Sequence, residues 1–184
     1  MTRFLALCGS QRAASSNMML LEAMAASAPN GTSLEIFRGI GTLPIFNPDL
    51  EGEALQESVA DMLAAVRASD GVIIACPEYA HGVPGGLKNA LDWMVSQDVA
   101  VEKPAMMVHA SARSRHLRQQ LAEVLRTMSF RLREDDVFEV NLLGKAPDSI
   151  SLILKQADIV AVMQQAVRAF AVFAGADESS TSRG

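Results

Sequence analysis

Apolar positions follow two rhythms that take turns along this chain. Arg3 to Cys8, Ser33 to Phe37, Gly71 to Ala75 and Lys103 to His109 read as strands, and the unbroken apolar run that begins at Gly71 reads as one buried on both faces. Between them, apolar residues recur every three or four positions, the period of a helix packed on one side. Met18, Leu21 and Ala25 mark such a stripe within Ser15 to Ala28, and Leu55, Val59, Met62 and Val66 mark another within Glu53 to Ala68. The spacing predicts further helices from Pro84 to Ser96, from Ser114 to Met128, and in one long run from Ile150 to Phe173. Pro84 suits a first helical position, where its missing N–H has no partner to lose. Val137 to Val140 reads as a short fifth strand, Pro29-Asn30-Gly31 as a turn, and Gly39 to Gly52, with Pro44 and Pro48, as a surface loop. Residues 175–184, rich in Ser, Thr and acidic residues, read as a disordered tail, which leaves 1–174 as a single domain.

Strand and helix alternating from end to end predict an α/β fold, a parallel sheet with helices on both faces. Five strands match the flavodoxin-like three-layer fold, a five-stranded parallel sheet in the order 2-1-3-4-5. The switch point of that order lies between strands one and three, and ligands of such sheets bind beyond the C-terminal strand ends there. The loops Gly9 to Asn17 and Pro77 to Gly82 therefore converge on one ligand.

The first loop, Gly9-Ser10-Gln11-Arg12-Ala13-Ala14-Ser15-Ser16-Asn17, brings hydroxyls, one guanidinium and a helix N-terminus to one place. Those groups suit a phosphate. An ordinary helix cap explains one of Ser15, Ser16 and Asn17, and leaves the other polar side chains unexplained. The loop has neither G-x-G-x-x-G nor the Lys-bearing triphosphate motif, so dinucleotide binding of the Rossmann type and triphosphate hydrolysis are disfavoured.

Composition acts mainly by exclusion. The chain of 184 residues is 49% apolar and 20% charged, enough to bury a core and unlike a disordered sequence. A net charge of -5 offers no attraction to nucleic acid or to an anionic membrane. No apolar run reaches the roughly 20 residues that span a bilayer, and the N-terminus lacks a signal-peptide pattern, so the expected location is cytoplasmic. Cys8 and Cys76 make neither a disulfide framework nor a zinc site. Each closes an apolar strand as a small hydrophobe; a redox role would require neighbouring sulfurs and a lowered thiol pKa. The three histidines have no metal-like spacing.

Three segments carry a resemblance: Gly9-Ser10-x-Arg12-x-x-Ser15-x-Asn17, Pro77-Glu78-Tyr79, and Val83-Pro84-Gly85-Gly86-Leu87-Lys88-Asn89-Ala90-Leu91-Asp92-Trp93. With Leu43-Pro44-Ile45-Phe46-Asn47 and Asp49-Leu50, they resemble the NADPH-dependent FMN reductase family of flavodoxin-like quinone, chromate and azo-dye reductases. The likeness runs from about Arg3 to Met128. It implies a non-covalent FMN, its phosphate on Ser10, Arg12, Ser15, Ser16 and Asn17 and its ring along Pro77, Glu78 and Tyr79, with His81 and Ser111 near the cofactor. It also implies NADPH or NADH as electron donor, a small acceptor (quinone, flavin, azo compound or oxidised metal ion), and a homodimer or homotetramer. The cofactor then performs the chemistry, and no protein side chain is required as acid, base or nucleophile.

Several positions read two ways. Glu78 is a site carboxylate, a solvated loop charge or a partner for an Arg across a subunit interface. Tyr79 is an aromatic contact or amphipathic packing. Lys88, Asn89 and Asp92 read as locks on the loop, and Trp93 as core or interface. His81 or His109 can hydrogen-bond flavin or a quinone oxygen. The segment Ala110 to His116 has no Gly where similar proteins are Gly-rich; Arg113 or Arg115 either grips the 2′-phosphate of NADPH or opens a solvated helix. That departure also supports an alternative, a flavin-binding module that carries or senses electrons without efficient NAD(P)H turnover.

Overall fold

The computed structural model describes residues 1–133 and 138–175. Twelve regular elements follow one another: β1 (Thr2–Cys8), α1 (Ser16–Ala26), β2 (Thr32–Phe37), α2 (Glu57–Ala68), β3 (Gly71–Ala75), α3 (Gly85–Val95), β4 (Pro104–His109), α4 (Arg115–Thr127), β5 (Arg131–Leu132), β6 (Phe138–Glu139), α5 (Pro147–Leu154) and α6 (Ala157–Gly175). All strand pairs are parallel, in the order β2-β1-β3-β4-β5, with β6 also paired to β4. This is the expected flavodoxin-like sheet. Its fifth position is shared: β5 pairs with Pro104 and Ala105 at the start of β4, and β6 with Val108 and His109 at its end. Of the expected fifth strand, Val137 lies outside the described residues.

Alternation along the strands builds two cores. Leu5, Leu7, Val72, Ile74, Ala105 and Met107 face α2, α3 and α4, while Phe4, Ala6, Ile73, Ala75, Met106 and Val108 face α1, α5 and α6. Each fully buried aliphatic or aromatic side chain contributes about 1.5–3 kcal/mol. Strands β3 and β4 are buried along their whole length, which explains why they read as unbroken apolar runs.

The long final helix of the sequence reading is two helices. Ile150 and Leu154 are the buried positions of α5, and Met163, Val167 and Phe170 those of α6. At 3.6 residues per turn, the nine-residue step from Leu154 to Met163 turns about 180° around an axis, so one straight helix would aim the two sets in opposite directions. The break at Lys155 and Gln156 lets both face the sheet. Among the described helices, α6 alone has the length and hydropathy (1.4) of a membrane span. It carries Asp158, Gln164, Gln165 and Arg168 and packs Phe170 against Phe4, with ring centroids 4.7 Å apart. Gly175 ends α6 rather than opening the tail, and 176–184 lie outside the described residues.

Helix α2 starts at Glu57 rather than Glu53, because short 3₁₀ turns at Pro48–Leu50 and Gly52–Ala54 precede it and Gly52 is left-handed (φ 67°). In α1 the fully buried apolar positions are Leu20, Leu21 and Met24, so Met18 and Ala25 of the expected stripe lie at its half-buried border. Pro84 precedes α3 as its cap residue instead of occupying the first helical position.

Candidate functional site

The C-terminal ends of β1, β3 and β4 open onto one cleft of about 350 Å3. The β1–α1 loop leaves the sheet through Gly9, whose N–H donates to the Ala75 carbonyl at 2.8 Å. A Cβ at Gly9 would stand 2.4 Å from Cys76 Cβ, so glycine is what lets this loop pass so near β3. Ser15 caps α1, its Oγ accepting the Met18 N–H at 3.3 Å. The Ser16 and Asn17 N–H groups have no acceptor among the described residues, as expected for a helix start. Ser10, Ser15 and Asn17 are buried in the wall of the cleft, and the buried Oδ1 of Asn17 has no donor among the described residues. The exposed Arg12 guanidinium has no partner among the described residues.

The β4–α4 loop repeats this construction two strands away. Arg12 N–H donates to Ser10 Oγ at 3.4 Å, and Arg113 N–H donates to Ser111 Oγ at 3.1 Å. Both Ser-x-Arg turns line the cleft and flank the β3–α3 loop between them. The Gly-poor wall is therefore closed by a buried Ala110 and a polar turn. Arg113 lines the cleft; Arg115, the first residue of α4, does not.

In the β3–α3 loop, Pro77, Glu78 and Tyr79 form the middle of the cleft. The chain then reverses: Tyr79 N–H donates to the Gly82 carbonyl at 3.2 Å, and Gly82 N–H to the Tyr79 carbonyl at 2.8 Å. Both central residues of this turn, Ala80 (φ 49°) and His81 (φ 61°), are left-handed, a conformation costing a non-glycine residue about 1–2 kcal/mol. Glu78 is half-buried, and its two oxygens are both engaged. Oε2 accepts the Leu117 N–H at the start of α4 at 3.0 Å, and Oε1 meets His81 Nδ1 at 2.9 Å. The Leu117 N–H foremost holds the Glu78 carboxyl below the usual carboxylate range; His81 and His116 add to the effect against partial desolvation. Ser114, the cap residue of α4, makes no side-chain bond to the helix, so Glu78 does the capping from another loop.

The residues singled out from sequence for the cofactor line this cleft, except His81 and the buried His109. Ser10, Arg12, Ser15, Ser16, Asn17, Pro77, Glu78, Tyr79 and Ser111 do so. His81 turns outward, 75% exposed, with its ring edge-on to His116 at 4.4 Å. Arg113, Ser114, Cys76, Ala110 and Leu143 join the lining. Leu143, just after β6 and 53% exposed, lay outside any sequence signal for the site.

Cys8 ends β1 and Cys76 follows the neighbouring β3, but the two side chains lie in opposite cores. Burial raises both thiols, Cys76 the more, so neither has the lowered pKa a redox thiol requires. Among the described residues, no cluster of His, Cys, Asp or Glu could hold a metal ion. His109 is buried at the end of β4, and neither ring nitrogen has a partner among the described residues; burial first, then the Arg118 charge, lowers its pKa to about 4. Asn89 and Trp93 of α3 fix the segment after β2. Asn89 Nδ2 and Trp93 Nε1 both donate to the Pro44 carbonyl at 2.8 Å, and Asn89 Oδ1 accepts the Phe46 N–H at 2.7 Å. Lys88 pairs with Asp92 on the outer side of the same helix at 2.5 Å.

A doubly wound sheet with a polar, cationic loop and a proline-led loop facing each other at its switch point defines a flavodoxin-like protein. Residues 2–140 match the model of the NADPH-dependent FMN reductase family, and the chain belongs to that family. It is 34% identical over 125 residues to a quinone reductase of Escherichia coli K12, covering 62% of this chain and 66% of that protein. It is 35% identical over 109 residues to the NADH:(hydroxy)cinnamate reductase subunit CrdA of Vibrio ruber, covering 59% and 53%. These alignments span less than two thirds of either relative. The fold is shared with the flavoenzyme NAD(P)H:(acceptor) oxidoreductase FerB of Paracoccus denitrificans, at TM-score 0.77 and 23% identity, covering 92% of this chain and 95% of that one.

Proposed function

We propose that this protein is an FMN-dependent NAD(P)H oxidoreductase whose second substrate is a quinone. One observation carries the reading: the Ser/Arg turn at the start of α1 and the Pro77–Tyr79 segment meet in a single cleft. A ligand bearing a phosphate and hydroxyl groups meets the unsatisfied groups there. The phosphate suits the free Ser16 and Asn17 N–H groups and the Arg12 guanidinium, and a hydroxyl suits the orphaned Asn17 Oδ1. FMN has both, and when bound it supplies the redox chemistry, taking a hydride from a nicotinamide and passing it to an acceptor.

The chain's own residues bind, orient and exclude water. Gly9 allows the close approach of the two loops, Glu78 ties the middle loop to α4, and Asn89 and Trp93 brace α3 against the Pro44 segment. Tyr79 and Leu143 place exposed apolar surface at the cleft, which favours a planar organic acceptor over a hydrated metal oxyanion. We place residues 1–174 in one domain working in the cytoplasm, as a homodimer or homotetramer, with Ser111 near the cofactor. The test is the visible spectrum under anaerobic conditions. Protein loaded with FMN is yellow, NADPH or NADH bleaches it, and benzoquinone restores the colour; colour that neither nicotinamide bleaches overturns the reading.

A further inference from the structure

The cleft holds two Ser-x-Arg turns, and the phosphate of FMN accounts for one of them. Adjacent strands lie about 4.8 Å apart, so the ends of β1 and β4, with β3 between them, stand about 10 Å apart and one phosphate cannot span both turns. We infer that the β4–α4 turn is a second oxyanion subsite, built from Arg113 and Ser114, and that it selects quinones carrying an acidic substituent such as a sulfonate or carboxylate. The inference deepens the reductase reading and rests on it.

Ser114 supplies the observation that points to a ligand. It is 5% exposed and lines the cleft, and its hydroxyl has no partner among the described residues. At the matching position of the first turn, Ser15 spends its Oγ on the Met18 N–H. Ser114 does not cap in this way, because its backbone (ψ 44°) lies outside the extended region that a capping serine adopts. Glu78 takes the Leu117 N–H instead, so the Ser114 hydroxyl is left for something in the cleft. A buried hydroxyl without a partner costs stability, and an oxyanion placed there satisfies it. The Arg115 and His116 N–H groups have no acceptor among the described residues, and the exposed Arg113 guanidinium has no partner among them. Hydroxyl, guanidinium and helix N–H groups together suit an anion, as they do in the first turn. Glu78 is the one carboxylate among the lining residues, and its oxygens are engaged by Leu117 and His81.

Position decides the class of ligand. Strand β4 pairs directly with β3, so this turn starts about one strand spacing from the Pro77–Tyr79 segment. An acidic group held there lies within about a ring's width of that segment, which fits a substituent on the acceptor's own ring. The 2′-phosphate of NADPH, by contrast, is separated from its nicotinamide by two riboses and a diphosphate. Tyr79 and Leu143 offer the acceptor ring its apolar surface.

The probes are naphthalene-2-sulfonate and its neutral counterpart naphthalene-2-sulfonamide, titrated into oxidised, FMN-loaded protein and followed by the flavin spectrum. The wild type is expected to bind the sulfonate more tightly, and that preference shrinks as salt is added. Arg113→Ala lowers the preference about 10-fold, Arg113→Lys restores part of it, and Ser114→Ala lowers it about threefold. The urea midpoint of Ser114→Ala matches the wild type, since the lost hydroxyl bonds nothing among the described residues. Rapid mixing of the reduced protein with 1,4-naphthoquinone-2-sulfonate and with 1,4-naphthoquinone gives rates whose ratio falls by similar factors. Equal weakening of both probes, or a preference untouched by Arg113→Ala, overturns the subsite and leaves the reductase reading standing. Loss of affinity for NADPH without loss for the sulfonate assigns the turn to the 2′-phosphate and overturns the acidic acceptor. A wild type that no nicotinamide bleaches overturns the reductase reading, whatever the probes show.

Discussion

Arg12 and Arg113 occupy matching turns, so their substitutions separate the ligands they serve. Losing a charge-assisted hydrogen bond costs about 1.5–3 kcal/mol, and Arg12→Ala is expected to weaken FMN about 10- to 100-fold. Riboflavin, which lacks the phosphate, is expected to bind wild type and variant alike, and fluorescence titration of both flavins checks this. Arg113→Ala is expected to raise KM for NADPH several-fold with little effect on NADH, if its guanidinium grips the 2′-phosphate; an unchanged preference removes that role. Gly9→Ala forces a methyl against Cys76 and Leu87 in a packed core and is expected to cost about 1–3 kcal/mol, read as a lower urea midpoint. The phosphate loop was legible because its hydroxyls and Arg follow a strand directly. The direction of His81 was not, because a left-handed turn without glycine leaves no mark in composition. Leu143 was hidden for another reason: only the pairing of β6 with β4 brings the residues after it to the cleft.

The segments were legible where one periodicity rules and obscure where two meet. Strands β1, β3 and β4 are covered on both faces, and their apolar runs gave their positions within a residue. The final helical run shows the opposite case, since its apolar spacing continues through Lys155 and Gln156 while its phase does not. The fifth strand position was hard to read because it consists of two two-residue strands, too short to show an alternation. The motif from Leu87 to Trp93 gains a physical role here. Asn89 and Trp93 point at the backbone of Pro44 and Phe46, so the motif clamps one connection onto α3. Trp93→Phe keeps most of the edge-on contact with Phe46 but leaves the Pro44 carbonyl with the Asn89 donor alone. The expected loss is about 1 kcal/mol, whereas Asn89→Ala removes two bonds and strands the Phe46 N–H, for about 2–3 kcal/mol. Urea denaturation of both variants, with Asn89→Ala the less stable, checks the clamp.

Assembly of the sheet also creates a liability that no single segment contains. His109 ends β4, which the pattern identified, but its burial depends on α4 closing over the strand and on Arg118 lying nearby. Its ring nitrogens find no partner among the described residues, so the folded protein strongly prefers the neutral ring. The folded pKa of about 4 lies below the ordinary 6.5, so between those values the unfolded chain binds more protons than the native one. Stability therefore rises with pH across this window and is lost as pH falls through it, by about 3 kcal/mol for the whole interval at 1.36 kcal/mol per unit. The Glu78 carboxyl adds to the loss at the acid end, since a depressed carboxyl stabilises the fold above its unfolded pKa and ceases to do so as it protonates. Replacing His109 by leucine removes the larger effect without leaving a cavity of unpaired polar atoms. Urea midpoints at pH 7, 5.5 and 4.5 are expected to fall steeply for the wild type and only shallowly for His109→Leu, with unchanged slopes of the unfolding curves. Parallel decline of the two proteins would show that His109 is hydrated in solution and titrates as an ordinary imidazole.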